Sequence, residues 1–110
     1  MVVEVIVTES PLDASNLMTM IDSDGAGAVA SFIGLVRPRH GDEQVMGLEF
    51  EAWGSRLPAV LQEIGKRAVE EQNLRSIVIA HRIGYVEPGE TIVCIHASAT
   101  VLSSRWRSPT

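Results

Sequence analysis

The distribution of hydrophobic and polar positions along the chain predicts five strands and two helices. Residues 45–53 alternate between apolar and polar side chains, which indicates a strand with one side facing solvent. Short apolar or β-branched runs, bounded by glycine, proline or polar residues, indicate the other strands. The predicted strands are Val2–Thr8, Ala26–Ile33, Val45–Trp53, Ser76–Ala80 and Thr91–Ala97, and the predicted helices are Leu12–Ile21 and Ser55–Asn73.

The segment Ser55–Asn73 is the clearest helix. Its apolar residues recur at intervals of three and four positions, so they form one stripe along a helix. We expect this stripe to face the core; it consists of Leu57, Val60, Leu61, Ile64 and Ala68. Pro58 falls in the first turn of the helix, where its missing N–H costs little.

The predicted elements follow the order β-α-β-β-α-β-β. Because strands and helices do not alternate strictly, this order favours an α+β fold with a mainly antiparallel sheet. Residues 76–80 and 91–97 are close enough in sequence to pair as a hairpin across the intervening loop. With 110 residues, the chain is long enough for one domain with its own core.

A cationic cluster follows the second predicted strand. The apolar run within Ala26–Ile33 is bounded by glycines, which predicts a buried strand that breaks at Gly34. Arg37, Arg39 and His40 then occur within four positions. Because binding residues are often placed on loops held by a rigid element, this pattern predicts a site at the end of the strand.

Composition and charge narrow the possible functions. The net charge of −5 argues against a nucleic-acid binder that relies on bulk positive charge. No stretch reaches the ~20 apolar residues of a membrane helix, and the N-terminus does not resemble a signal peptide. The single cysteine cannot form an internal disulfide, which fits a reducing compartment. We therefore expect a cytoplasmic protein.

Other residues offer weaker candidates for chemistry. Cys94 lies in an apolar strand, where a cysteine is more often an inert core residue than a nucleophile. His96 in the same strand is best interpreted as structural. A zinc site could in principle be built from His40, His81, Cys94 and His96, but their spacing fits no short ligand motif, so we predict no metal.

Several blocks of the sequence, in order, resemble the large, catalytic subunit of molybdopterin synthase. The resemblance covers roughly residues 2–99. Its blocks are Gly27-Ala28-Val29 leading to Phe32-Ile33-Gly34-Leu35-Val36-Arg37, Leu48-Glu49-Phe50-Glu51 before the long helix, and His81-Arg82-Ile83-Gly84 followed by Pro88-Gly89-Glu90. The His81-Arg82 pair belongs to a block that we expect to hold a strand end rather than to perform chemistry.

The resemblance implies an α/β-hammerhead-like fold and a homodimer that forms a heterotetramer with a second subunit. That subunit is a small ubiquitin-like sulfur carrier, whose C-terminal glycine thiocarboxylate enters a pocket of the large subunit. The implied reaction belongs to molybdenum cofactor biosynthesis: two sulfurs are transferred to cyclic pyranopterin monophosphate to give molybdopterin. No cofactor takes part in this sulfur transfer.

The resemblance also assigns residues to the site. Arg37 matches a substrate-contacting arginine, and Leu35 and Val36 are its neighbours in the substrate-binding segment. Arg39 and His40 are possible members of the same site. A substrate phosphate and a thiocarboxylate both need cationic donors, which arginine side chains supply.

The chain departs from the family pattern after Ser98-Ala99. There the family continues with His-Arg, a long helix and a segment with catalytic lysines, whereas this chain has residues 100–110, and its one lysine is Lys66. The resemblance therefore assigns no catalytic residue here. A frameshift after about Ala99 is one explanation, because one codon choice for Ala99–Ser103 contains His-Arg-Ala-Glu in another frame.

Two expectations follow from this departure. Residues 1–99 would form the domain and residues 100–110 an atypical, disordered tail. The absence of the family's C-terminal helix would expose part of the sheet, including some of Ile92, Cys94 and His96, and would lower stability unless a dimer covers that face. The alternative function is then a catalytically inactive homologue that dimerises or binds the carrier or the pterin.

Overall fold

The computed structural model describes residues 2–22, 24–50 and 56–100. These ranges contain eight strands and two helices. In chain order they are β1 (Val3–Thr8), α1 (Ala14–Met18), β2 (Ala28–Leu35), β3 (Arg39–His40), β4 (Glu43–Gln44), β5 (Leu48–Phe50), α2 (Arg56–Gln72), β6 (Leu74–Arg82), β7 (Gly84–Val86) and β8 (Thr91–Ala99).

The main sheet has four strands in the order β1-β6-β8-β2. Strand β8 lies antiparallel to both β6 and β2, whereas β1 lies parallel to β6. Two smaller sheets are formed by β3 with β4 and by β5 with β7. The α+β class, with two helices and a mainly antiparallel sheet, is therefore confirmed, and so is the pairing of 76–80 with 91–97.

The two helices cover opposite faces of the central strand β6, whose side chains alternate between them. Val78 and Ala80 pack with Leu17 and Ile21 around α1, while Ile77 and Ile79 pack against α2. Because both faces are covered, residues 76–80 are all buried. Within the described residues no helix is long and apolar enough to cross a membrane.

The buried face of α2 differs from the predicted stripe. Val60 and Ile64 are 39% and 53% exposed, so the prediction that they face the core is wrong. Gly65 is buried instead, since α2 approaches the sheet closely there. A Cβ at this position would lie only 2.7 Å from the Val3 Cγ1 of β1. The close approach of helix and sheet at Gly65 rotates the contact face away from the most apolar side of the helix.

Strand β2 is an edge strand, so the prediction of a buried strand is wrong. Among the described strands its one neighbour in the sheet is β8, and most of its residues are exposed, with Phe32 at 59%. Gly34 does not break the strand either. The strand continues to Leu35 through an irregularity in its pairing between Gly34 and Leu35.

The expected exposure of β8 is wrong for Cys94 and His96, which are both almost completely buried. Helix α1 lies over them, and Ala14 contacts His96 through its carbonyl oxygen. This helix is shorter than predicted and begins after Asp13, whose carboxylate accepts hydrogen bonds from the N–H groups of Ser15 and Asn16.

The region between Arg37 and Val86 contains more strand than predicted. The loop after β2 forms the β3–β4 hairpin, and β7 pairs with β5 rather than belonging to a simple loop. The predicted strand over 45–53 is ordered as a strand only at 48–50 within the described residues. Residues 51–55 and the predicted tail at 101–110 lie outside the described residues.

Candidate functional site

A cleft of about 190 Å3 opens at the end of β2. All five residues that the sequence suggested for the site line it, which places the substrate-binding and the possible members around one space. The lining residues are Leu35, Val36, Arg37, Arg39, His40, Val45 and Leu48. The structure thus brings the candidates together, while their role in binding stays a prediction.

Val36 anchors the floor of the cleft. Its N–H donates to the Glu90 carbonyl oxygen at 3.0 Å, and its own carbonyl oxygen accepts from the Gly89 N–H at 2.8 Å. The residue is buried, so these bonds fix the backbone on which Arg37 follows. Gly89 has a φ of +86°, a backbone conformation that residues with a side chain rarely adopt. This explains why the turn has a glycine at this position.

An ion pair stabilises the turn that is hydrogen-bonded to the backbone of Val36. The Arg82 guanidinium lies 3.0 Å from the Glu90 carboxylate, which also accepts a hydrogen bond from the Glu87 N–H. The Glu87 N–H, and then the Arg82 side chain, lower the pKa of the Glu90 carboxyl. Arg82 is itself buried and donates from Nε to the Glu9 carbonyl oxygen at 3.4 Å. This arrangement agrees with the expected structural role of Arg82.

The β3–β4 hairpin forms the cationic wall of the cleft. Arg37 Nη2 donates to His40 Nδ1 at 3.3 Å, and Arg39 Nη2 donates to the Asp42 carbonyl oxygen at 3.1 Å. Since a guanidinium only donates, the His40 ring accepts on Nδ1 in this arrangement. Both arginines remain exposed, so their other N–H groups can meet a ligand.

The rest of the cleft lining is mainly apolar. Leu35, Val45 and Leu48 line it with aliphatic side chains. A space lined by both arginine donors and aliphatic side chains suits a small molecule that has an anionic group and a weakly polar body.

Tyr85 stabilises the apolar wall, although no sequence pattern indicated it. Its hydroxyl donates to the Met46 carbonyl oxygen at 2.7 Å. A Cβ at Gly47 would lie 2.2 Å from this tyrosine, so only glycine lets the segment before β5 pass so close. The contact joins residues 39 positions apart, which explains why local patterns could not reveal it.

The other candidates are dispersed. Cys94 is buried, and burial raises the pKa of its thiol, as befits an inert core residue. His96 contacts Cys94, but His40 lies in the cleft, and His81 Nδ1 donates to the Arg82 carbonyl oxygen. In the part of the chain that the structure describes, no three His, Cys, Asp or Glu side chains gather as a metal site would require.

Comparisons with known proteins agree on one family. The sequence matches the family described as MoaE protein over residues 7–107. It is 32% identical over 93 residues to the molybdopterin synthase catalytic subunit of Bacillus subtilis, covering 84% of this chain but 59% of that protein. The chain thus spans about three fifths of the length of this relative.

Solved structures share the fold. The crystal structure of molybdopterin synthase from Staphylococcus aureus matches with a TM-score of 0.78 and 25% identity, covering 91% of this chain and 72% of that one. The complex of subunits 1 and 2 of the molybdopterin-converting factor from Helicobacter pylori matches with a TM-score of 0.67 and 20% identity, over 91% of this chain and 66% of that one.

Proposed function

Because the chain belongs to the MoaE protein family, we propose that it acts in molybdenum cofactor biosynthesis as a catalytic subunit of molybdopterin synthase. The observation that carries this proposal is the cleft at the end of β2, where arginine and aliphatic side chains line one space. Residues 1–99 form the domain that carries the function, and we place the reaction in the cytoplasm.

The proposed reaction transfers sulfur from a thiocarboxylate to cyclic pyranopterin monophosphate. Arg37 binds the substrate phosphate, since its guanidinium can donate two parallel hydrogen bonds to an oxyanion. In this substrate-binding segment Leu35 contacts the pterin body, and buried Val36 fixes the backbone that positions Arg37. Arg39 and His40 border the same space, and Arg39 adds a second guanidinium to it. The transfer itself requires neither a metal nor a redox cofactor.

The proposed sulfur donor is a small ubiquitin-like carrier with a C-terminal glycine thiocarboxylate. The Helicobacter pylori structure with the same fold is a complex of two subunits of the molybdopterin-converting factor, which supports a small partner subunit. An extended tail that reaches the cleft would bring its negative end to the arginines. We further propose that two copies of this chain form the homodimer at the centre of a heterotetramer.

The exposed edge of the sheet supports self-association. Large apolar side chains on β2 are about half exposed, namely Val29, Phe32, Ile33 and Leu35. An edge strand with apolar side chains and unpaired backbone groups is suited to pairing with another chain. Pairing the free edge of β2 with a second copy would satisfy its backbone groups and bury Phe32, which lies on the face of the sheet opposite Ser31 and Ile33 because side chains alternate along a strand.

A second candidate is a binding module without catalysis. The family resemblance implies catalytic lysines, whereas the one lysine of this sequence, Lys66, is an exposed residue of α2 and does not line the cleft. Such a protein would hold the pterin or the carrier through Arg37 but would transfer no sulfur.

Binding of cyclic pyranopterin monophosphate by calorimetry tests the cleft. Arg37→Ala should weaken binding by about 10- to 100-fold, because charge-assisted hydrogen bonds contribute ~1.5–3 kcal/mol each. The matched control is Arg67→Ala, which removes an exposed arginine from α2 and should leave the affinity unchanged. Equal affinities in all three proteins would show that Arg37 does not bind the phosphate.

Product formation then separates the two candidates. The protein is mixed with the pterin and a thiocarboxylated carrier, and molybdopterin is measured by mass spectrometry. Molybdopterin that appears with the wild type, and less with Arg37→Ala, supports the enzyme. Tight pterin binding without product supports the binding module and contradicts the enzymatic proposal for this chain.

A further inference from the structure

A second cavity lies away from the arginine cleft, between α1 and the edge strand β2. Its volume is about 380 Å3, and it shares no lining residue with the cleft. The residues that line it are Ala14, Ser15, Met18, Ser31, Ile33 and His96. The function proposed above makes no use of this groove.

A serine and a histidine meet at the base of the groove. Ser31 Oγ lies 2.6 Å from His96 Nδ1, and the two residues are direct cross-strand partners in the β2–β8 ladder. The serine is exposed, whereas the histidine is only 2% exposed. The imidazole of His96 is therefore held rigidly, while the hydroxyl group of Ser31 is accessible to a molecule in the groove.

The backbone of α1 determines which nitrogen of the ring is the base. His96 Nε2 lies 2.9 Å from the Ala14 carbonyl oxygen, which can only accept a hydrogen bond. In the neutral ring Nε2 therefore carries the hydrogen, and the lone pair of Nδ1 accepts the hydroxyl proton of Ser31. A nucleophile, a base within hydrogen-bond distance and a third group that orients the base are the parts of an activated serine.

We propose that Ser31 and His96 form a nucleophile–base pair that accepts the acyl group of a small carboxylic ester. The site goes beyond the proposed sulfur transfer and does not depend on it. Met18 and Ile33 give the groove apolar walls, and none of its six lining residues is an arginine or a lysine. These features favour an uncharged ester with a short apolar acyl chain over an anionic substrate.

The step balances without an external oxidant or reductant. Ser31 Oγ attacks the ester carbonyl carbon, and the hydroxyl proton moves to His96 Nδ1. The Oγ–carbon bond forms, the bond from carbon to the alcohol oxygen breaks, and Nδ1 returns the proton to the departing alcoholate. Water can then attack the acyl-serine with the same base, releasing the carboxylic acid and restoring Ser31.

Acylation by p-nitrophenyl butyrate tests the pair in the full chain. We expect a burst of p-nitrophenolate and one butyryl group on the peptide that contains Ser31, identified by mass spectrometry. Ser31→Ala should abolish this acylation, and His96→Gln should slow it by at least about tenfold, since a positioned base contributes 10²–10⁴-fold. The matched control Ser10→Ala removes an exposed hydroxyl that lies outside the groove and should leave the rate unchanged.

A second comparison does not depend on the folding of any variant. In urea the wild-type chain loses the pairing of β2 with β8, so Ser31 should be acylated at least about tenfold more slowly than in the native protein. Equal rates in the native and unfolded protein would overturn the proposal. So would a butyryl group that resides on Lys66 or Tyr85 instead of Ser31, or a folded His96→Gln variant that reacts at the wild-type rate.

Discussion

Replacing Gly65 by alanine tests the contact between α2 and the sheet. Alanine is the better helix former, by about 1 kcal/mol, so the change would stabilise an isolated helix. In the folded protein the new Cβ would lie 2.7 Å from Val3 Cγ1 and 3.4 Å from Ile79 Cδ1. Carbon atoms in good contact are about 3.5–4.0 Å apart, so helix and sheet must separate by roughly 1 Å.

The cost of this separation exceeds the gain in helix propensity. Val3 and Ile79 are buried, so neither side chain can move into solvent. Adding a carbon to a filled core costs about 1–3 kcal/mol, which leaves a net loss of about 1 kcal/mol for Gly65→Ala. In a domain of this size such a loss lowers Tm by about 4 °C.

A double-mutant cycle isolates the contact between residues 65 and 3. Val3→Ala removes the nearest carbon, so in that background Gly65→Ala should stabilise the protein by up to ~1 kcal/mol. Val5→Ala removes the same atoms from a different, partly buried position of β1, and there Gly65→Ala should remain destabilising. Urea unfolding measures each free energy. The close contact would be refuted if Gly65→Ala stabilised the wild type or if its sign did not change with Val3→Ala.

Three further predictions concern the sheet edge, the core thiol and the turn. Phe32→Glu should shift the protein towards monomer in sedimentation equilibrium, whereas Val60→Glu, on an exposed part of α2, should not; equal behaviour would place the interface elsewhere. Cys94 should react with an aromatic disulfide reagent at least about tenfold more slowly in the native than in the unfolded protein, because burial raises the pKa of the thiol and limits access. The pKa of Glu90 is lowered on folding, so its carboxylate stabilises the protein above the ordinary value of 4.5 and loses this effect as the pH falls through the lower, folded value. The difference in Tm between the wild type and Glu90→Gln should therefore be constant near neutral pH and should shrink as the pH falls below 4.5; a difference that does not shrink on acidification would contradict the role of the charge.

Much of the candidate site was predictable because its residues are neighbours in the chain. Leu35 to His40 occupy six consecutive positions after an apolar strand, and any backbone that leaves the strand there must deliver them to one place. The residues that hold this segment were harder to identify. The backbone of Val36 is hydrogen-bonded to Gly89 and Glu90, which are more than fifty positions away, and only the folded chain shows that contact.

The sequence by itself determined the two helices, the four strands of the main sheet and the fold class. Those features depend on side-chain periodicity and on turn residues, which act over a few neighbouring positions. The tertiary structure decided which face of α2 is buried, since a glycine at position 65 permits an approach that the more apolar Val60 and Ile64 do not. It also decided that β2 lies at the edge and that Ser31 meets His96 across 65 positions, because strand order and register depend on contacts between distant segments.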